Sequence, residues 1–160
     1  MKQLVDYIEV KIPAKPEFVG IVRLTLSGIA SRMGYSYDEI EDLKIAISEA
    51  CTNAVQHAYE KIEGGEVMIG FGLCEDRLEV MVSDSGQSFN FEQKKNELGP
   101  YSAANPVDQL PEGGLGLYLM ETLMDEVHVQ IDSGVTVFMT KYLNGERVEH
   151  DTTIQNYEAN

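Results

Sequence analysis

Glu66-Val67-Met68-Ile69-Gly70-Phe71-Gly72-Leu73-Cys74-Glu75-Asp76-Arg77-Leu78-Glu79-Val80-Met81-Val82-Ser83 decides the fold class. Two strand-forming runs, Glu66–Gly72 and Arg77–Ser83, flank a short connection near Cys74-Glu75-Asp76. So short a connection makes a hairpin, and hairpin strands are antiparallel. An all-parallel sheet is thereby excluded.

The elements on either side follow from punctuation and period. Upstream, Gly64-Gly65 makes a turn, and before it a helix runs from Ser36 to about Ala58 or Tyr59. Ser36-Tyr37-Asp38-Glu39 fits a capping box, and Ile40, Leu43, Ile47 and Ala54 keep the helical period. Gly34 stops an earlier helix over Glu17–Met33, with Pro16 at its start. The apolar residues Phe18, Val19, Ile21, Val22, Leu24, Leu26, Ile29 and Met33 cover most of that helix's circumference. Such a helix is either sandwiched or presents a surface to another chain. Asp6–Ile12 alternates as a half-buried strand.

Downstream, periodicity fails from Asp84 to Glu112, a stretch broken by Gly86, Gly99-Pro100, Pro106 and Pro111. Structureless stretches of that length inside a domain are usually functional. Gly113-Gly114 then opens an apolar helix to about Met124, and two alternating strands follow, Glu126–Ile131 and Val135–Tyr142, with a turn at Ser133-Gly134. The sum is an α+β two-layer sandwich: a mostly antiparallel sheet with helices on one face. Residues 1–145 form one domain in this reading, and 146–160 a polar C-terminal tail.

The charge narrows the function. With 160 residues and a formal net charge of −15, the surface repels nucleic-acid phosphates and anionic membranes. It attracts a basic protein partner. An anionic ligand requires a metal ion or backbone N–H groups to supply positive potential. Cys51 and Cys74 have no metal-ligand spacing and read as buried thiols in a reducing cytosol. No apolar run approaches the roughly 18 residues of a membrane span. Met1-Lys2-Gln3-Leu4-Val5-Asp6 has no signal-peptide core, and the expected location is cytoplasmic.

Three motifs carry chemistry. Gly113-Gly114-Leu115-Gly116 stands where a loop enters a helix, a place suited to phosphate. Leu119 occupies the position where a dinucleotide fingerprint needs its last glycine, and no Gly-Lys-Ser/Thr of a Walker loop occurs. Glu49 and Asn53 are four residues apart on one helix face, about 6 Å from each other, and His57 continues that face. Glu49 suits a general base, and the Asn53 carbonyl suits Mg²⁺. Asp84, with Ser85-Gly86, sits at a strand end, where an aspartate can take a ligand amino group. Singly, these are also what an ordinary helix start, a solvated polar face and a turn look like.

In order, Glu49-x-x-x-Asn53, Asp84-x-Gly86, a long loop and Gly113-Gly114-Leu115-Gly116 resemble the GHKL ATPase/kinase superfamily and its Bergerat ATP-binding fold. Arg23-Leu24-Thr25-Leu26-Ser27-Gly28, Ser48 to Ala58, Gly113 to Asp125 and Lys141-Tyr142-Leu143-Asn144-Gly145 are similar to one branch of it, the anti-sigma factor serine-protein kinases of Gram-positive bacteria. The resemblance implies that Asn53 holds Mg²⁺, that Asp84 binds the adenine amino group and that Gly86 lets the purine approach. It implies that Gly113, Gly114, Leu115 and Gly116 wrap the triphosphate under an ATP lid between Phe91 and Glu112. Asp84-Ser85-Gly86-Gln87-Ser88 departs from the usual Asp-x-Gly-x-Gly, with Ser88 replacing the second glycine. The implied partners are a sigma factor (sigma-B type), an anti-anti-sigma protein whose serine receives the phosphate, and a second copy in a homodimer. Arg23 matches an arginine that the family uses to contact partners.

Phosphoryl transfer is mainly positioning and charge neutralisation. Glu49, one turn before the Mg²⁺ ligand, is placed to accept the proton of a serine hydroxyl. In hydrolysing relatives the equivalent glutamate activates water, so this residue alone does not separate kinase from ATPase. The length leaves no room for a transducing domain or a helical hairpin bearing a phospho-accepting histidine. His57 reads as structural, and His128 and His150 lack catalytic company. Lys94 or Lys95 in the lid would help hold ATP. The alternatives are a nucleotide-switched binding module without kinase activity and a stand-alone ATPase.

Overall fold

The hairpin of residues 66–83 is the centre of the sheet. In the computed structural model, β2 (Glu66–Cys74) and β3 (Arg77–Ser83) pair antiparallel from Met68 opposite Ser83 to Leu73 opposite Leu78. The structure describes residues 4–61, 64–85, 114–131 and 134–143. The proposed lid, Gly86, Gly113 and the 146–160 tail lie outside them.

β1 (Leu4–Pro13) flanks β2, with a register irregularity between Leu4 and Asp6. β4 (Glu126–Ile131) and β5 (Val135–Tyr142) form the last hairpin, and β5 pairs with β3. The strand order is β1-β2-β3-β5-β4, and every described pairing is antiparallel. The limits of β3, β4 and β5 agree with the alternation in the sequence, whereas β2 continues past Gly72 to Cys74.

A short 3₁₀ turn at Pro16–Phe18 leads into α1 (Val19–Met33). Gly34 ends α1 in the left-handed region, φ 100°, with its N–H donating to the carbonyls of Ala30 and Ser31. A side chain there would be strained, hence glycine. α2 (Tyr37–Lys61) opens on the expected capping box. The Ser36 N–H donates to Glu39 Oε1 at 3.0 Å, and the Glu39 N–H donates to Ser36 Oγ at 3.2 Å. The third helix, α3 (Gly114–Leu123), starts one residue before Leu115.

The three α-helices of the described residues share one hydrophobic core with one face of the sheet. Val22 and Leu26 of α1 join Leu43, Ile47, Cys51 and Val55 of α2 and Leu117 and Met120 of α3 over Val67, Ile69, Phe71, Leu78, Val80, Val82, Val127, Val129, Val137 and Met139. The apolar circumference of α1 resolves into two faces. Val19, Val22, Leu26 and Ile29 are buried, while Ile21 is 48% and Leu24 76% exposed. The helix is therefore not sandwiched among the described residues; its outer side is open.

Two side chains lock the layers. The Tyr35 hydroxyl, in the α1–α2 connection, donates to the Lys141 carbonyl and accepts the Leu78 N–H at 2.9 Å. Lys141 Nζ donates to the Leu123 carbonyl at 2.6 Å and so closes the C-terminal end of α3. On the other face of the sheet Arg77 Nε donates to Glu79 Oε2 at 3.2 Å, and Tyr7 and Leu4 pack on Met81 and Phe138. Among the described residues no helix is long and apolar enough to cross a membrane.

Candidate active site

α2 is the spine of the site. Its small and apolar residues Ala46, Ala50, Cys51, Ala54 and Val55 face the core. The adjacent face carries Glu49, Asn53 and His57, all half-buried. Eight residues at 1.5 Å each separate Glu49 from His57 by about 12 Å along the axis.

The start of α3 lies against the Glu49 end. A Cβ added at Gly116 would stand 3.1 Å from Glu49 Oε2 and 3.4 Å from Asn53 Nδ2. A side chain at this position would press on the carboxylate and touch the amide, so glycine gives the backbone its close approach. The first turn of α3, containing Gly114 and Leu115, therefore lies beside the Glu49–Asn53 pair, and the first N–H groups of a helix have no partner within the helix itself. Those donors and the positive end of the helix dipole favour an anion.

Asp84 lies at the other end. It follows β3 directly, and its side chain is 2% exposed. Its backbone N–H donates to the Val135 carbonyl at 3.3 Å, and its Oδ1 accepts the Val135 N–H at 3.1 Å. Its Oδ2 meets His57 Nδ1. β3, β5 and α2 thus converge on one carboxylate. The link between His57 and Asp84 spans 27 positions, and no local motif announces it. The signal was the helical repeat from Glu49 through Asn53 to His57.

Arg23 lies apart from this line, exposed on α1. Its Nη1 donates to Ser48 Oγ at 3.2 Å, and the Ser48 hydroxyl donates to the Lys44 carbonyl at 2.6 Å. Arg23 is therefore tied to the residue preceding Glu49. Among the described candidates, Glu49, Asn53 and Gly116 come together, Gly114 and Leu115 sit in the same helix start, and Asp84 closes the far end through His57.

The chemistry available is a carboxylate and an amide beside an anion-favouring helix start, with a buried acceptor reached through His57 at the far end of the same helix face. Residues 12–141 match the family described as the histidine kinase-like ATPase domain. The chain is 74% identical to the serine-protein kinase RsbW of Bacillus subtilis (strain 168), over 100% of both chains. It belongs to the RsbW serine-protein kinases. An RsbW of Bacillus cereus is 57% identical over 99% of both chains. The crystal structure of the RsbU and RsbW domains of a Mycobacterium tuberculosis protein superposes with a TM-score of 0.61 at 22% identity. That match covers 87% of this chain and 33% of the other, and it supports the fold alone. As an RsbW-family chain, this is a protein-serine kinase on an ATP-using GHKL domain.

Proposed function

We propose that the chain binds Mg²⁺-ATP between α2 and α3, phosphorylates a serine on an anti-anti-sigma protein, and also sequesters a stress-response sigma factor of the sigma-B type. The observation that carries the site is the approach of Gly116 to Glu49 and Asn53. It sets the start of α3, the Glu49 carboxylate and the Asn53 amide beside one another, and the phosphates would bind at the edge of this group.

Glu49 is the base. It accepts the proton of the serine hydroxyl as the serine oxygen bonds to the γ-phosphorus and the bond to the bridging oxygen of ADP breaks. Asn53 would offer its amide oxygen to Mg²⁺. Among the described residues no group of three or more His, Cys, Asp or Glu could hold a metal ion, so phosphate oxygens and water would complete that ion's shell. Mg²⁺ supplies charge neutralisation on the phosphates. Gly113, Gly114, Leu115 and Gly116 wrap the triphosphate, Asp84 accepts from the adenine amino group beside Gly86, and residues 91–112 form the lid.

The net charge of −15 makes Mg²⁺ essential to ATP affinity and suits basic segments of a sigma factor. The open side of α1, with Ile21, Arg23 and Leu24, supports a protein-binding role there, with Arg23 as a partner contact. The protein works as a cytoplasmic homodimer of one kinase domain, residues 1–145, away from membranes and nucleic acid.

Glu49→Ala tests this reading. Phosphate transfer to the antagonist is lost while ATP and sigma-factor binding remain. Transfer that survives the substitution overturns the role of Glu49, and loss of partner binding together with transfer points to a structural role for it instead. Sustained ATP turnover without a protein acceptor favours a plain ATPase. ATP affinity indifferent to EDTA removes Mg²⁺ from the account.

A further inference from the structure

A buried carboxylate meant to recognise a base must be fixed in direction as well as place. Val135 holds Asp84 at Oδ1 from β5, and His57 holds it at Oδ2 from α2. Holds on its two oxygens from two different elements fix the plane of the carboxylate. We propose that His57 is a positioning residue that orients Asp84 and so sets the preference for adenine over guanine. This rests on the reading that Asp84 receives the adenine amino group.

The chemistry is specific. A carboxylate only accepts hydrogen bonds, so the proton shared in this contact sits on His57 Nδ1. Held as a fixed acceptor, Asp84 matches the amino group of adenine. Guanine carries a carbonyl oxygen at the same ring position, and two acceptors repel. A site built for a donor rejects an analogue lacking it far more strongly than an apolar pocket could. His57 is 25% exposed and Asp84 2%, so the contact closes the rim of a buried acceptor. His57 also rides on the helix that carries Glu49 and Asn53, which ties base recognition to the phosphate end through one rigid element.

The test uses the full-length protein with Mg²⁺. Calorimetry gives the affinities for ATP and GTP of the wild type, His57→Ala, His57→Asn, His57→Gln and Asp84→Asn, and kcat is measured at saturating ATP. Asparagine places its amide nitrogen near the position of Nδ1; glutamine places it nearer Nε2. In His57→Ala, ATP affinity falls about tenfold, in line with loss of a hydrogen bond to a charged group. GTP affinity holds, so the ATP/GTP ratio falls by the same factor. His57→Asn recovers most of the ratio, His57→Gln does not, and kcat stays within about twofold.

An unchanged ratio in His57→Ala overturns the proposal. So does failure of His57→Asn to recover the ratio while its melting temperature stays that of the wild type. Asp84→Asn separates the two layers. If it leaves ATP affinity intact, the adenine reading of Asp84 fails and takes this proposal with it. If it weakens ATP while His57→Ala leaves the ratio alone, only the positioning role of His57 fails.

Discussion

Gly116 allows the sharpest test among single residues. A methyl group there meets Glu49 Oε2 at 3.1 Å and Asn53 Nδ2 at 3.4 Å, so the carboxylate must yield by a few tenths of an ångström. Misplacing a reacting group costs rate steeply, and Gly116→Ala is expected to lower kcat about tenfold with little change in thermal stability. Single-turnover transfer to the antagonist, beside a thermal melt, checks this; an unchanged rate would show that α3 does not press on Glu49. The one-face placement of Glu49 and Asn53 was legible from their spacing, because a helix obeys a fixed repeat. The nearness of Gly116 was not, since packing of α3 on α2 leaves no trace in either segment. Nor was the hold of Val135 on Asp84, which spans 51 positions and exists only because β5 pairs with β3. His57 lay on the legible face and read as structural; its target was what the spacing could not name.

Tyr35 does at the scale of elements what no helix or strand does alone. Its buried hydroxyl joins the α1–α2 connection to β3 through the Leu78 N–H and to β5 through the Lys141 carbonyl. Tyr35→Phe leaves both of those backbone groups short of this partner and should destabilise the fold by about 1–3 kcal/mol. Urea unfolding measures it, and a change below about 0.5 kcal/mol would mean that other groups take the hydroxyl's place. Element types and most boundaries were readable because alternation, capping box and Gly34 are local signals. The insertion of β5 between β3 and β4 was not, because hairpins fix which strands run antiparallel but not which hairpin edges meet.

Among the described residues Tyr7, Cys51 and Tyr142 are acids held above their ordinary range. Burial and then the bond to Glu9 raise Tyr7, while Cys51 and Tyr142 set an alkaline limit for the whole molecule. Burial pushes the Cys51 thiol from 9.0 up to about 12, with Arg23 pulling weakly the other way. The bond to Glu126, then burial, raises the Tyr142 phenol from 10.0 to about 12. Both folded values exceed the unfolded ones, so their contribution is whole below about pH 9 and lost as pH climbs toward 12. The melting temperature should hold to about pH 9 and then fall, and Cys51→Val should make the fall shallower. A level melting curve to about pH 11 would contradict both shifts. The strand order carries a consequence of another kind. Residues 4–85 supply β1, β2, β3, α1 and α2, while residues 114–143 supply α3, β4 and β5, and the two sets meet along β3–β5 and α2–α3. A chain cut once between these sets, within residues 86–113 and with no residue removed, should give two pieces that find each other and rebuild the enzyme. Recovered phosphate transfer on mixing would check this. Because Asp84 and His57 belong to one piece and Gly116 to the other, ATP should act as the glue, tightening their reunion with the logarithm of its concentration once that exceeds its own dissociation constant.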